Sequence, residues 1–238
     1  MSSTNKQVCL DLFSEELNDI SKLVETPNLM REVALSGIDS VLEQSPAAIK
    51  QKLDNTKKIL ENITDESIKQ NYKIIYSQML ILAVSSMEAI LKKYLRDEII
   101  KMDKINNENS KLEEIKLNAK KLLDYNFNSN ELFCDLLLEK ENSSFQNLKL
   151  IKETFEDYLN IKFVLNNEDE KKLIFYLELR HVLVHKSGKI DKRFINSTSK
   201  MNANIKNYKL YDDVNIEEEE WNMVKDVFIK LVKNITTA

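Results

Sequence analysis

Two glycines and two prolines in 238 residues leave this chain few places to turn tightly. Tight turns draw on glycine for left-handed backbone and on proline for a preset φ. A chain poor in both, with abundant Leu, Ile, Lys, Glu and Asn, is therefore suited to a mainly helical fold. The asparagines lower helix propensity locally and blur the helix boundaries. The length suffices to bury a substantial core, and the expected class is all-α. The net charge of -4 neither favours nor excludes a nucleic-acid partner, because such a partner responds to local patches rather than to the sum.

Cys9 and Cys134 are far apart and form no disulfide framework or zinc-knuckle spacing, so they read as reduced thiols of a cytoplasmic protein. The N-terminal stretch turns acidic too soon for a secretory apolar region. The nearly uncharged run from Ile74 to Leu91 reaches membrane-spanning length, but Gln78, Ser85, Ser86 and Glu88 interrupt it and Lys92-Lys93 ends it. It reads as a buried core helix, and no membrane partner is expected.

Residues 5–62 read as two or three helices broken near Pro27 and again near Pro46. They form an N-terminal helical extension, residues 1–65, packed on a main domain of residues 66–238. Ser67 to about Lys104 is a long helix whose apolar residues occupy more than one face, which places it at the centre of a bundle. A polar loop over Asn106–Ser110 precedes helical periodicity through Leu112, Ile115, Leu122 and Leu123, and then an Asn-rich stretch from Tyr125 to Asn130. Leu132–Leu138 and Phe145–Leu159 predict shorter helices. Asn166–Glu170 supplies a cap and an acidic first turn to a helix that should end near Lys186, with Gly188 in a left-handed cap. Lys209–Val214 suggests a short irregular or β-like segment. The last helix follows, starting with Glu217–Glu220 and continuing through Trp221, Val224, Phe228, Leu231 and Val232. No repeat, phosphate-binding glycine loop or nucleophile elbow is present.

His181 and His185 are the two histidines of the chain. They gather the side chains that titrate near neutrality into one place, beside a permanent cation, Arg180, suited to holding phosphate. Glu178, His181 and His185 share a narrow sector of an ideal helix and could bind a metal. However, the glutamate that a metalloprotease helix carries directly after its first histidine is missing, and no second histidine pair exists for a dinuclear site. Neither a metal nor another cofactor is expected. From Lys186 to Lys209 seven basic residues face the single acid Asp191. Lys186, Lys189, Lys192 and Arg193 at the start of that segment are the candidate phosphate-binding surface, the one that would hold RNA if RNA is the partner.

The stretch ELRHVLVHKSGKIDKRF resembles the signature of HEPN domains: an arginine, a polar residue, a short apolar stretch and a histidine near a helix end. Arg180, His181 and His185 match those positions, with four residues between the arginine and the final histidine. AVSSMEAILKKYL resembles the first long helix of such domains, with Glu88 where the family often places an acidic residue near its arginine. SFQNLKLIKETFEDYLNI is similar to a mid-domain helix of a branch found beside defence and toxin genes, and KIDKRFI with YKLYDDVNIEEEEW resembles that branch's C-terminal end. The resemblance covers about residues 70–235.

It implies an all-α HEPN-like bundle that dimerises and cleaves RNA without a metal, leaving a 2′,3′-cyclic phosphate and a 5′-hydroxyl. The expected setting is a toxin or abortive-infection effector in bacterial defence, with an antitoxin or defence-system partner. In that reading His185 is acid or base, Arg180 stabilises the phosphorane, His181 is a second polar contact and Glu88 orients Arg180. The alternative is a non-catalytic HEPN-type module that binds nucleic acid or a partner protein through the same basic face. Ser187 stands where some members carry a tyrosine modified by nucleotidyltransferase antitoxins, so that regulation is not supported. Arg180 and His185 point about 140° apart on an ideal helix, with Arg180 on the stripe of Leu173, Leu177 and Val184. One chain also offers only one final histidine, whereas transesterification needs both a base and an acid. A two-fold homodimer that duplicates the motif across a shared cleft meets both requirements.

Overall fold

The helix that is apolar on more than one face has to be covered from several sides, and it is. In the computed structural model, which describes residues 3–62, 66–101, 119–126, 128–140, 145–199 and 206–237, this helix runs over Glu66–Lys101. It buries Met79, Leu80, Ala83, Val84, Met87, Leu91, Tyr94 and Leu95, as a central core helix should. Among the described residues the order is α1 (Ser3–Leu42), α2 (Ala47–Asn62), α3 (Glu66–Lys101), α4 (Ala119–Asp124), α5 (Ser129–Lys140), α6 (Leu148–Leu159), α7 (Asn167–His185), α8 (Lys192–Thr198) and α9 (Glu218–Thr237). Helices α1, α5, α6, α7 and α9 all pack on α3. The class is all-α: among the described residues the only β feature is one isolated antiparallel bridge, Lys189 to Asp213. The loop expected over residues 106–110, and most of the periodic stretch before α4, lie outside the described residues.

Helices α1 and α2 divide in their packing. Cys9, Phe13, Leu17 and Val24 of α1 belong to the same core as α3 and α9, and the buried Trp221 indole donates to Ser21 Oγ at 3.0 Å. Beyond that, the second half of α1 turns back into α2, which buries no residue of its own. The break expected near Pro27 does not occur, because α1 continues through it. A proline there loses one amide donor and costs about 3 kcal/mol, but α2 runs antiparallel to the segment beyond it and holds it. Arg31 Nε donates to the Leu60 carbonyl at 2.9 Å, and Lys57 pairs with Asp39 at 2.6 Å. At Pro46 the chain does turn, and the Pro46 carbonyl accepts the first amides of α2, from Ile49 and Lys50.

Asparagine serves both kinds of helix end, as a side-chain acceptor at the starts and, in glycine's usual left-handed place, at the close of α6. Asn128 accepts from Glu131 N in the first turn of α5, Asn147 from Lys149 N and Leu150 N at the start of α6, and Asn166 from Asp169 N at the start of α7. Asn160 closes α6 in the left-handed region at φ 53°, a conformation that asparagine tolerates better than most residues. The helix expected from Phe145 therefore begins three residues later, after its Asn147 cap. At α9 the expected acidic start is in place, and Glu217 N donates to Glu220 Oε2 at 3.0 Å, one half of a capping box.

The expected segment at Lys209–Val214 is reduced to the single bridge because Tyr211, at φ 72°, turns the chain within it. Helix α8 is an element that the periodicity did not announce. Asp191 caps it, accepting from Phe194 N at 2.9 Å, and Phe194 anchors it in the core against Phe175 and Tyr208.

Candidate active site

Helix α7 is buried on one side through Leu173, Tyr176, Leu177, Leu179 and Val182, while Arg180 and His181 are half-buried and His185 is exposed. Val184, placed on the arginine's apolar stripe by sequence, is instead 44% exposed. The helix stops where expected. Lys186 N and Gly188 N both donate to the Val182 carbonyl, at 2.9 and 3.2 Å, and Ser187 (φ 51°) joins Gly188 (φ 75°) in the left-handed region. Two successive left-handed residues swing the chain sideways into the pairing of residues 188–190 with 211–214, and from there into α8.

That return lays Arg193 over the histidine face of α7. Its Nη1 lies 3.2 Å from His181 Nε2, its Nη2 donates to Glu178 Oε1 at 3.4 Å, and its Nε sits 3.3 Å from Glu178 Oε2 as an ion pair. The His181 and His185 rings are neighbours, with centroids 4.7 Å apart. Burial lowers the pKa of His181, and the charge of Arg193 and then the proximity of His185 lower it further, against smaller opposing effects of Glu178 and Asp191.

Arg180 faces a different neighbourhood. Its Nη1 donates to Gln146 Oε1 at 2.6 Å, Gln146 Nε2 donates to Glu88 Oε2 at 2.7 Å, and Glu88 Oε1 pairs with Lys92 Nζ at 2.7 Å. Glu88 does lie near Arg180 in the fold, but it reaches the arginine through Gln146, because its two oxygens are committed to Gln146 and Lys92. Gln146 carried no sequence signal, since an isolated glutamine in a turn before a helix cap matches no motif. Arg180 Nε is buried without a hydrogen-bond partner.

The basic segment is less free than its composition implies. Lys189 pairs with Asp213 at 2.6 Å, Arg193 is held by Glu178, and Lys206 lies within 3.9 Å of Glu217 and 3.6 Å of Glu220. Of the candidate RNA-binding residues, Lys186 and Lys192 are exposed and have no ion pair among the described residues. An open groove of about 430 Å³ runs between α6 and α7, lined in part by Gln146, Leu148, Lys152, Glu170, Leu177 and Glu178. Its walls thus include the partner of Arg180 and the partner of Arg193.

Among the described residues no three of His, Cys, Asp and Glu converge as metal ligands, and the Glu178 carboxylate is turned to Arg193. Compared with protein-family models, curated proteins and solved structures, the chain matches none of them.

Proposed function

We propose that this protein is a metal-independent endoribonuclease of the HEPN type, a cytoplasmic toxin or abortive-infection effector in bacterial defence, held in check or triggered by an antitoxin or other defence-system partner. The observation that carries the reading is the end of α7. There an exposed histidine, His185, adjoins a second imidazole, while Arg180 one turn earlier is held by a hydrogen-bonded chain from α3.

In this mechanism one His185 takes the proton of the ribose 2′-hydroxyl, the 2′-oxygen attacks phosphorus, and the bond to the 5′-oxygen breaks. A second His185, protonated, donates its proton to the departing 5′-oxygen. The products are a 2′,3′-cyclic phosphate and a 5′-hydroxyl. Arg180 stabilises the negative charge that builds on the phosphorane, and Lys186 and Lys192 hold flanking phosphates.

Arg180 faces Gln146 while His181 faces Arg193 of α8 with His185 beside it, so one chain presents these groups to a single phosphate poorly. A homodimer that sets two copies of the α7 end about one cleft supplies both an acid and a base. Exposed apolar side chains beside the motif, Val184 on α7 and Ile74 at 61% exposure on α3, favour such a contact. Incubating the purified protein with RNA, wild type beside His185→Ala, and identifying the chemical ends of the fragments tests the reading. Intact RNA with the wild type, or equal cleavage by both, defeats it. The engagement of Arg193 and Lys189 with carboxylates favours the second reading, a non-catalytic module that binds nucleic acid or a partner protein.

A further inference from the structure

Gln146 lies in the turn ahead of α6, fixed next to the Asn147 cap, and joins Glu88 on α3 to Arg180 on α7. Only one orientation of its amide satisfies both neighbours, because a guanidinium can only donate and a carboxylate only accept. Glu88 is itself held at its other oxygen by Lys92, so donation runs from Arg180 through Gln146 to Glu88, and the carboxylate accepts from both Gln146 and Lys92.

Two features make Gln146 decisive for Arg180. The buried Nε of Arg180 has no partner, so no second hydrogen bond at Nε fixes the plane of the guanidinium. Moreover, the contact is made by a neutral amide where a carboxylate could have stood. A carboxylate bonded directly to Arg180 would compete with an incoming phosphate for the same charge. The amide sets the orientation and leaves the full positive charge available at Nη2, which has no hydrogen-bond partner among the described residues.

Resting on the ribonuclease reading, we propose that Gln146 is a positioning residue: it fixes the Arg180 guanidinium so that its free edge meets the scissile phosphate, and Glu88 acts on Arg180 through it. A misplaced stabiliser of this kind can cost on the order of 10- to 100-fold in turnover. The test is a double-mutant cycle on full-length protein with an RNA oligonucleotide. Gln146→Met should lower kcat by about 10-fold or more with KM little changed, Glu88→Gln should add little on that background, and Gln146→Met should cost nothing further once Arg180 is alanine. An equal loss in the Arg180→Ala background would assign Gln146 a merely structural role and overturn the proposal.

A second measurement needs no turnover. Side-chain ¹⁵N spectra should show slowly rotating Arg180 Nη groups in the wild type that average in Gln146→Met, and unchanged restriction would overturn the proposal whether or not RNA is cleaved. If the wild type cleaves no RNA, the ribonuclease reading fails and the spectra still decide the role of Gln146. Should Gln146→Met not fold, Gln146→Glu takes its place. It should keep the Nη groups restrained yet cut kcat, and wild-type kcat would overturn the proposal.

Discussion

Arg193 Nη1 donates to His181 Nε2 across 3.2 Å, and because a guanidinium has no lone pair to offer, the contact fixes His181 as the neutral tautomer with its proton on Nδ1. The lowered pKa of His181, caused first by burial and then by Arg193, acts in the same direction.

The pH dependence follows from that sign. The folded-state pKa lies below the unfolded value of about 6.5, so between the two the unfolded chain binds more protons than the folded one. This contribution to stability is complete above the unfolded value and is lost as pH falls through the interval below it. Denaturation series over that range should show wild type losing stability relative to His181→Gln, and parallel profiles would refute the assignment. Imidazole ¹⁵N shifts should report the Nδ1–H form at neutral pH.

His185→Ala should abolish RNA cleavage and leave the fold intact, since the side chain is exposed at the helix end. Arg180→Ala should reduce cleavage on the order of 10²-fold, as for the loss of a donor to a developing oxyanion. Cleavage should survive excess EDTA. Rescue by zinc or manganese after chelation would instead favour a metal held by Glu178, His181 and His185.

The caps and the turn beyond α7 can be tested through stability. Asn166→Ala removes the acceptor for Asp169 N and should cost about 1 kcal/mol in urea unfolding. Gly188→Ala should cost a similar amount, on the order of 1 kcal/mol, from the left-handed backbone alone. Space is not the obstacle there: the added Cβ would meet Leu183 Cδ2 at an ordinary 3.7 Å. A neutral Gly188→Ala would show that the turn relaxes out of its φ of 75°.

Light scattering should report a dimer, and Val184→Glu, which charges an exposed apolar position one residue from His185, should yield a monomer without cleavage. A monomer that cleaves RNA at the wild-type rate would defeat the shared-cleft proposal.

The long-range helical periodicity was legible in the sequence: α3, α7 and α9 fall where their apolar spacing and end signals place them, and the Asn166 cap is where the local pattern sets it. The departures have local causes. Pro27 suggests a break, but the hairpin partner α2 keeps the helix going. Lys209–Val214 suggests a short strand, but Tyr211 bends it. At the site, Arg180, His181 and Arg193 could be named from composition and spacing, whereas Glu88 as a neighbour of the arginine came only from the resemblance to HEPN domains. What could not be read was which charges pair. The Arg193 to Glu178 contact spans 15 residues and the Arg180 to Gln146 contact spans 34, and both depend on the path of a turn rather than on any helical repeat.

The hydrogen bond from Trp221 to Ser21 bridges 200 positions of chain, and the core that surrounds it needs α1, α3 and α9 together. Contacts so distant in sequence slow a helical protein relative to one built from neighbouring helices. They also impose an order during synthesis. A ribosome has already made α7, with both histidines, before α9 leaves the exit tunnel, yet the core that steadies α7 cannot close until α9 arrives. A nascent chain therefore carries its motif unassembled, and a message cut short ahead of α9 yields a protein without a working core.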